Sequence, residues 1–232
     1  MKYFEQFNRI TKVNFLISWI IRALLLIAVI LALWESNWMA SFVSVLALFL
    51  TFLPLFISRQ FKIVLPVEIQ TIIILFIYAS IFLGEVRGYY TLLWWWDSLL
   101  HLTSGIALGF IGFLILYILY KKGKFDAGPG LIVSFSFCFA LALGTLWEIF
   151  EFFMDSFFNL NMQRARGLEE IYGYFDTRLG VRDTMIDLIL NAIGAFLASV
   201  AGYFYLKKGR FFAVDFWLRR IEEKNPELFQ EE

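Results

Sequence analysis

The sequence predicts an all-α, polytopic transmembrane helix bundle of about six spans, on three observations. The chain is 60% hydrophobic with a charged fraction of only 17%, and its mean hydropathy is +0.72. A soluble domain is nearer half apolar with about a quarter of its residues charged. The apolar residues come in runs of about 20, long enough to cross a hydrocarbon layer ~30 Å thick as helices. Lys and Arg are shared unequally between alternate connections, as topogenic charge requires.

Residues 1–13 open with MKYFEQFNRITK, which sets Tyr3, Phe4, Phe7 and Ile10 on one helical face. This predicts a short helix lying at the membrane surface, with a frayed terminus as the alternative. Glu5 and the length of the first apolar run argue against a signal peptide. The membrane domain is expected over 14–206, with spans near 14–34, 38–58, 67–86, 97–120, 130–153 and 184–206. Residues 207–232 form a tail in which RFFAVDFWLRRIEE alternates aromatics and charges at helical period, a second surface helix.

The N-terminus, the 59–66 loop, the 121–128 loop and the tail carry fourteen of the 20 Lys and Arg. The opposite connections carry five, and Arg22 lies inside the first span. Both termini are therefore expected in the cytoplasm, and the chain in the plasma membrane. Membrane lipids are the expected neighbours. Net charge is zero, so no basic excess points to nucleic acid. The single Cys138 lies in an apolar run and packs as a small hydrophobe. A homo-oligomer is left open, with no feature that indicates one.

Spans four to six differ from the rest. Gly105, Gly109 and Gly112, then Ala140 and Gly144, then Gly194, Ala198 and Gly202 form small-residue ridges that let membrane helices approach closely. These spans are read as the working core, 97–206, and spans one to three as a supporting layer. Trp94, Trp95 and Trp96 before span four read as an interfacial belt, with substrate stacking as the alternative.

The core spans also carry polar ends. Asp97 and His101 open span four; Glu148, Glu151 and Asp155 close span five; Asp183, Asp187 and Asn191 open span six at four-residue spacing, on one helical face. With the predicted topology all three ends lie on the outer side. A charge inside a membrane helix costs about 2.5–3.5 kcal/mol or more, so such residues are functional-site candidates. Helix capping explains Asp97 and Asp183 equally well. It does not explain Asp187 or Glu148, which lie inside their helices.

Gathered carboxylates in low dielectric must protonate, pair with Arg, or bind a cation. One His with several carboxylates suits a divalent metal such as Mg, Mn, Zn or Fe. Asp97, His101, Glu148 and Asp187 are the candidate catalytic residues. They are also candidate metal ligands, with Glu151 and Asp183. Asn191, Asp155, Arg178 and Arg182 complete the polar set. Three readings stay open: a metal-dependent site, a proton or ion pathway, and an Arg-bridged network that only holds helices together. The loop 156–182, with its charges and glycines, is a candidate lid or a solvated spacer. No di-iron ExxH pair, HExxH, P-loop or dinucleotide fingerprint occurs, so no nucleotide cofactor is expected. No proline interrupts spans four to six, which weighs against a transporter with broken helices.

WDSLLHLTSGIALGF, GTLWEIFEFFMD and GVRDTMIDLILNAIGA together resemble the YjdF-like family of uncharacterised membrane proteins. More remotely they are similar to the VanZ-like superfamily, whose pattern runs DxxxH, ExxQ, an Arg, then DxxxNxxG. Asp97 and His101 match the first element, Glu148 the glutamate, and Asp187, Asn191 and Gly194 the last. Glu151 stands where that pattern has Gln, and Arg178 or Arg182 stands for the Arg. The resemblance covers about 85–205 and supplies no reaction. The residue reading leads to an expected metal-dependent enzyme acting on a lipid or envelope substrate. An ion-coupled transporter and a structural membrane protein are the alternatives.

Overall fold

The computed structural model describes residues 2–124, 127–158, 161–164 and 177–230. Among these, every regular element is helical. The order is α1 Lys2–Trp34, α2 Trp38–Leu50, α3 Leu53–Phe61, α4 Val67–Ile77 with a π-helical continuation Tyr78–Val86, α5 Tyr89–Leu92, α6 Trp96–Lys121, α7 Pro129–Phe158, α8 Thr177–Lys208, α9 Phe212–Lys224 and a 3-10 turn Pro226–Leu228. Six stretches are long and apolar enough to span: Lys12–Trp34, Trp38–Phe61, Val67–Val86, Trp96–Lys121, Pro129–Phe157 and Arg178–Lys208. The expected spans are all present. The helix carrying the first begins at Lys2 and runs into it without a break, so no separate surface helix is marked off before residue 14.

The sixth span begins earlier than expected, because a hydropathy run does not register helical turns built from charged residues. Arg178 and Arg182 are therefore helical residues of α8, not loop residues. The part of the connection with Arg166, Glu169, Glu170 and Asp176 lies outside the described residues.

The chain forms two compact units. The first comprises Met1–Asp97 and Arg220–Pro226. Its core is Ile21, Leu25, Ala47, Ile74 and Phe82. The second span breaks between α2 and α3, where Pro54 sits in the first turn of α3. Arg22 answers that break: its Nε donates to Thr51 Oγ1 at 3.1 Å and a terminal nitrogen donates to the Thr51 carbonyl at 3.0 Å. The Phe52 ring lies 4.5 Å from the guanidinium carbon. A mid-span cation is thus held by a freed carbonyl and aromatic faces, which offset part of its desolvation. In the third span the indole of Trp96 donates to the Ala79 carbonyl in the π-helical stretch, at 3.2 Å. Trp94 stays exposed, while Trp96 packs against Tyr89.

Asn225 is the least expected anchor of this unit. Its side chain is buried, accepts from the Val64 N–H at 2.6 Å and donates to the Val64 carbonyl at 3.0 Å. One amide satisfies both backbone groups of a residue between α3 and α4. Asn225→Leu is expected to cost about 3 kcal/mol by leaving both without partners. Unfolding in detergent measures this; a wild-type midpoint would show that the pairing contributes nothing.

The second unit comprises Ser98–Arg219 and Glu227–Glu232. Helices α6, α7 and α8 form it, and Phe113, Leu116, Tyr117, Ala127 and Ile132 pack with Val214 and Leu218 of α9. The tail helix α9 therefore packs on this unit through one face. Val214 and Leu218, one turn apart, are buried in protein, while Phe212 and Phe216 are exposed. Both units expose large apolar side chains along the spans, Phe42 and Phe49 in one and Leu131 and Phe196 in the other. Lipid, not water, is the solvent such surfaces require.

Candidate functional site

Three glycines decide where the core helices meet. A side chain on Gly105 of α6 would strike the backbone carbonyl of Asn191 on α8, and one on Gly194 of α8 would strike the Leu102 carbonyl on α6. A Cβ on Gly144 of α7 would lie 2.6 Å from the Asn191 carboxamide. Asn191 is 2% exposed and is pressed between the other two helices at this point. Its Oδ1 has no hydrogen-bond partner among the described residues.

The polar residues stand one helical turn from these contacts, about 6 Å along each axis. Four residues before Gly105 is His101, and four before that Asp97. Four residues after Gly144 is Glu148, and four before Asn191 is Asp187. Helices in such close contact at one level must bring the next turn of each together. Asp97 is the last residue of the first unit, but α6 runs through that boundary, so it shares a helix with His101.

The geometry is compact. One ligand atom from each of Asp97, His101 and Asp187 lies within 4.8 Å of the other two, and all three residues are buried. His101 presents its two nitrogens to different carboxylates, Nε2 at 4.0 Å from Asp187 Oδ2 and Nδ1 at 3.7 Å from Glu148 Oε1. Both separations exceed hydrogen-bond length. Donors at 2.0–2.2 Å from a common ion stand roughly 3–4 Å apart, so the Asp187–His101 gap fits that spacing. Glu148 on the other nitrogen occupies the place of a carboxylate that orients a metal-bound histidine.

The other predicted residues are placed differently. Glu151 is buried and accepts from Trp147 Nε1 at 2.8 Å, within its own helix. Asp155 accepts from the backbone of Met162 at 2.7 Å and of Gln163 at 2.9 Å, so it closes the turn after α7. Gln163 then donates to Thr184 Oγ1 at 2.9 Å, tying that turn to α8. Asp183 is half-buried, a turn beyond Asp187, and Arg178 and Arg182 are exposed. The group that converges is therefore Asp97, His101 and Asp187, with Glu148 against the imidazole. Sequence reasoning missed Trp147 and Gln163; the first was detectable as a Trp four residues before Glu151.

Four buried carboxylates, Asp97, Glu148, Glu151 and Asp187, share this region with one imidazole. Carboxylates gathered in a buried region are costly unless each is protonated, paired or bound to a cation.

Fold and site together define a six-span membrane protein with a buried carboxylate–imidazole group at one end of its last three spans. The chain belongs to the family described as Predicted membrane protein (DUF2238), which matches residues 16–208. It is similar to an uncharacterized protein of Thermotoga maritima, 33% identical over 140 residues, which are 58% of this chain and 62% of the relative. The chain thus spans less than two thirds of that relative. No solved structure matches.

Proposed function

We propose that the protein is a membrane-embedded metalloenzyme that holds one divalent cation, of the set Mg, Mn, Zn and Fe, on Asp97, His101 and Asp187. The observation that carries this reading is the convergence of three buried ligand atoms from two helices within 4.8 Å. The donor set, one imidazole and two carboxylates, is the chemistry such cations select. Glu148, 3.7 Å from Nδ1 of His101, is the carboxylate that would orient the imidazole and leave Nε2 to ligate. Asn191, a turn deeper, sets the spacing of the helices that carry the ligands.

When bound, the cation supplies Lewis acidity toward a phosphoryl or ester oxygen. The chain's own part is to fix the ligands and to keep Glu151 aimed by its bond from Trp147. The substrate class proposed is a phosphate- or ester-bearing lipid, or a lipid-linked headgroup of the envelope. The positive-inside bias assigns the site to the outer leaflet, where such groups lie. The likeness to YjdF-like and VanZ-like proteins rests on the DxxxH, glutamate and DxxxNxxG motifs and supports the same residues.

The test is a metal titration of purified, chelator-stripped protein in mild detergent with Mn and with Zn. One ion per chain is expected. Asp187→Asn is expected to lose about 100-fold or more in affinity while eluting as a folded species. No binding of either metal, or of Mg or Fe, by well-folded wild type would overturn the proposal in favour of a proton pathway or a structural network.

A further inference from the structure

At the opposite end of the second unit, the ends of α6 and α8 and the start of α7 enclose a second feature. A pocket of about 300 Å³ is lined by Tyr117, Tyr120 and Lys121 of α6, by Ala127, Pro129 and Ile132, and by Tyr205, Leu206 and Gly209 at the end of α8. The hydroxyls of Tyr117 and Tyr205 meet at 3.2 Å. The ammonium of Lys121 lies 5.7 Å from the Tyr117 ring centre. The lining is thus amphipathic, with tyrosyl rings and aliphatic side chains below and a cation at the rim.

We infer that this pocket binds the headgroup of an anionic phospholipid. Charge is the first reason. YILYKKGK ends α6 on Lys121, with Lys122 and Lys124 just after it, YFYLKKGR ends α8 on Lys207 and Lys208, with Arg210 just after them, and neither stretch contains an acid. Among the described residues no carboxylate lies within 4 Å of Lys121, Lys207, Lys208 or Arg210. Lysines in the last turn of a helix also complement its dipole, which explains their presence on α6 and α8. That does not explain the pocket between them.

The second reason is the room at the start of α7. Pro129 lines the pocket and has no N–H, and the N–H groups of Leu131 and Ile132 are taken by the Gly128 carbonyl, so Lys121 and not the helix end meets the anion. Side chains added to Gly128 and Gly130 would meet open space, which leaves a headgroup a clear approach to Lys121.

The third reason selects a lipid over a free anion. Ala127, Pro129, Ile132 and Leu206 give the pocket an apolar floor. At adjacent turns of the same two helices an apolar groove of about 550 Å³ is lined by Val133, Phe137, Phe196 and Val200, among others. Glycerol and acyl chains suit such surfaces; inorganic phosphate does not. The pocket lies at the lysine-rich end, which the charge bias assigns to the cytoplasmic leaflet, where anionic lipid attracts basic side chains.

The test uses the full chain in nanodiscs of phosphatidylcholine with a minor fraction of phosphatidylglycerol, and native mass spectrometry to count retained lipid. Retention of phosphatidylglycerol is expected to fall about fivefold in Lys121→Gln. Lys121→Arg should keep it, and Lys12→Gln, an equal charge change at a residue outside the pocket, should leave it within twofold. Tyr205→Phe, which removes one of the paired hydroxyls, should also weaken it and gives an independent reading. Equal losses in Lys121→Gln and Lys12→Gln would mean diffuse surface attraction and would overturn the proposal. Retention displaced by millimolar inorganic phosphate would also overturn it, assigning the pocket to a free anion.

Discussion

Gly194→Ala lowers the stability of the second unit by about 3 kcal/mol or more. In an ordinary helix position the same change is favourable by about 1 kcal/mol, because alanine has the higher helix propensity. Here the added carbon lands on the Leu102 carbonyl of the facing helix. A backbone carbonyl cannot swing aside as a side chain can, so α6 and α8 must separate and lose their packing over several turns. Gly105→Ala makes the reciprocal clash with the Asn191 carbonyl and should be as damaging. Gly130→Ala, where a side chain meets nothing within 4 Å, is the control and should unfold like wild type. Denaturant titration in detergent, followed by helicity, reads all three. A Gly194→Ala protein as stable as the control would remove the close approach from which the site geometry follows.

Glu148→Gln and Asp187→Asn should differ in kind as well as in size. If Asp187 ligates a cation and Glu148 orients His101 from behind, Glu148→Gln loses about 10–100-fold in metal affinity. Asp187→Asn loses more, because a ligand charge is gone. A purely structural network predicts the opposite pattern. His101 would then bridge two equivalent carboxylates at 3.7 and 4.0 Å, and either change would leave a buried imbalance of the same size. Both variants would lose stability alike and neither would show a metal phenotype. Joint replacement of His101, Glu148 and Asp187 by apolar residues would then be tolerated. Metal titration beside unfolding, on the same three proteins, separates the two accounts.

The fold was almost wholly legible in the sequence, because lipid imposes a length and a composition on every span. The candidate site was half legible. The four-residue spacing from Asp183 through Asp187 to Asn191 marks one helical face wherever the helix goes. Which partners that face meets depends on where the backbones touch. Glu151 and Asp155 look equivalent to Glu148 along the chain. In the folded protein one is held by Trp147 on its own helix and the other closes the turn at Met162 and Gln163. Asn225 gave no signal at all, since its partner Val64 is far away along the chain and offers only backbone.

What the sequence by itself determined is the six-span bundle, the polar ends of the last three spans and the small-residue faces through which they pack. These depend on local hydropathy and helical period, which short stretches of chain carry in full. Only the tertiary structure decided that Asn191 is the point of closest contact, that Asp97, His101 and Asp187 converge a turn beyond it, and that Glu148 takes the second nitrogen. Such choices depend on the register of one helix against another. That register is set by a handful of contacts, Gly105 and Gly194 against facing carbonyls and Gly144 against a carboxamide; the small residues show in the sequence, but the atoms they face are fixed only once the helices are in place.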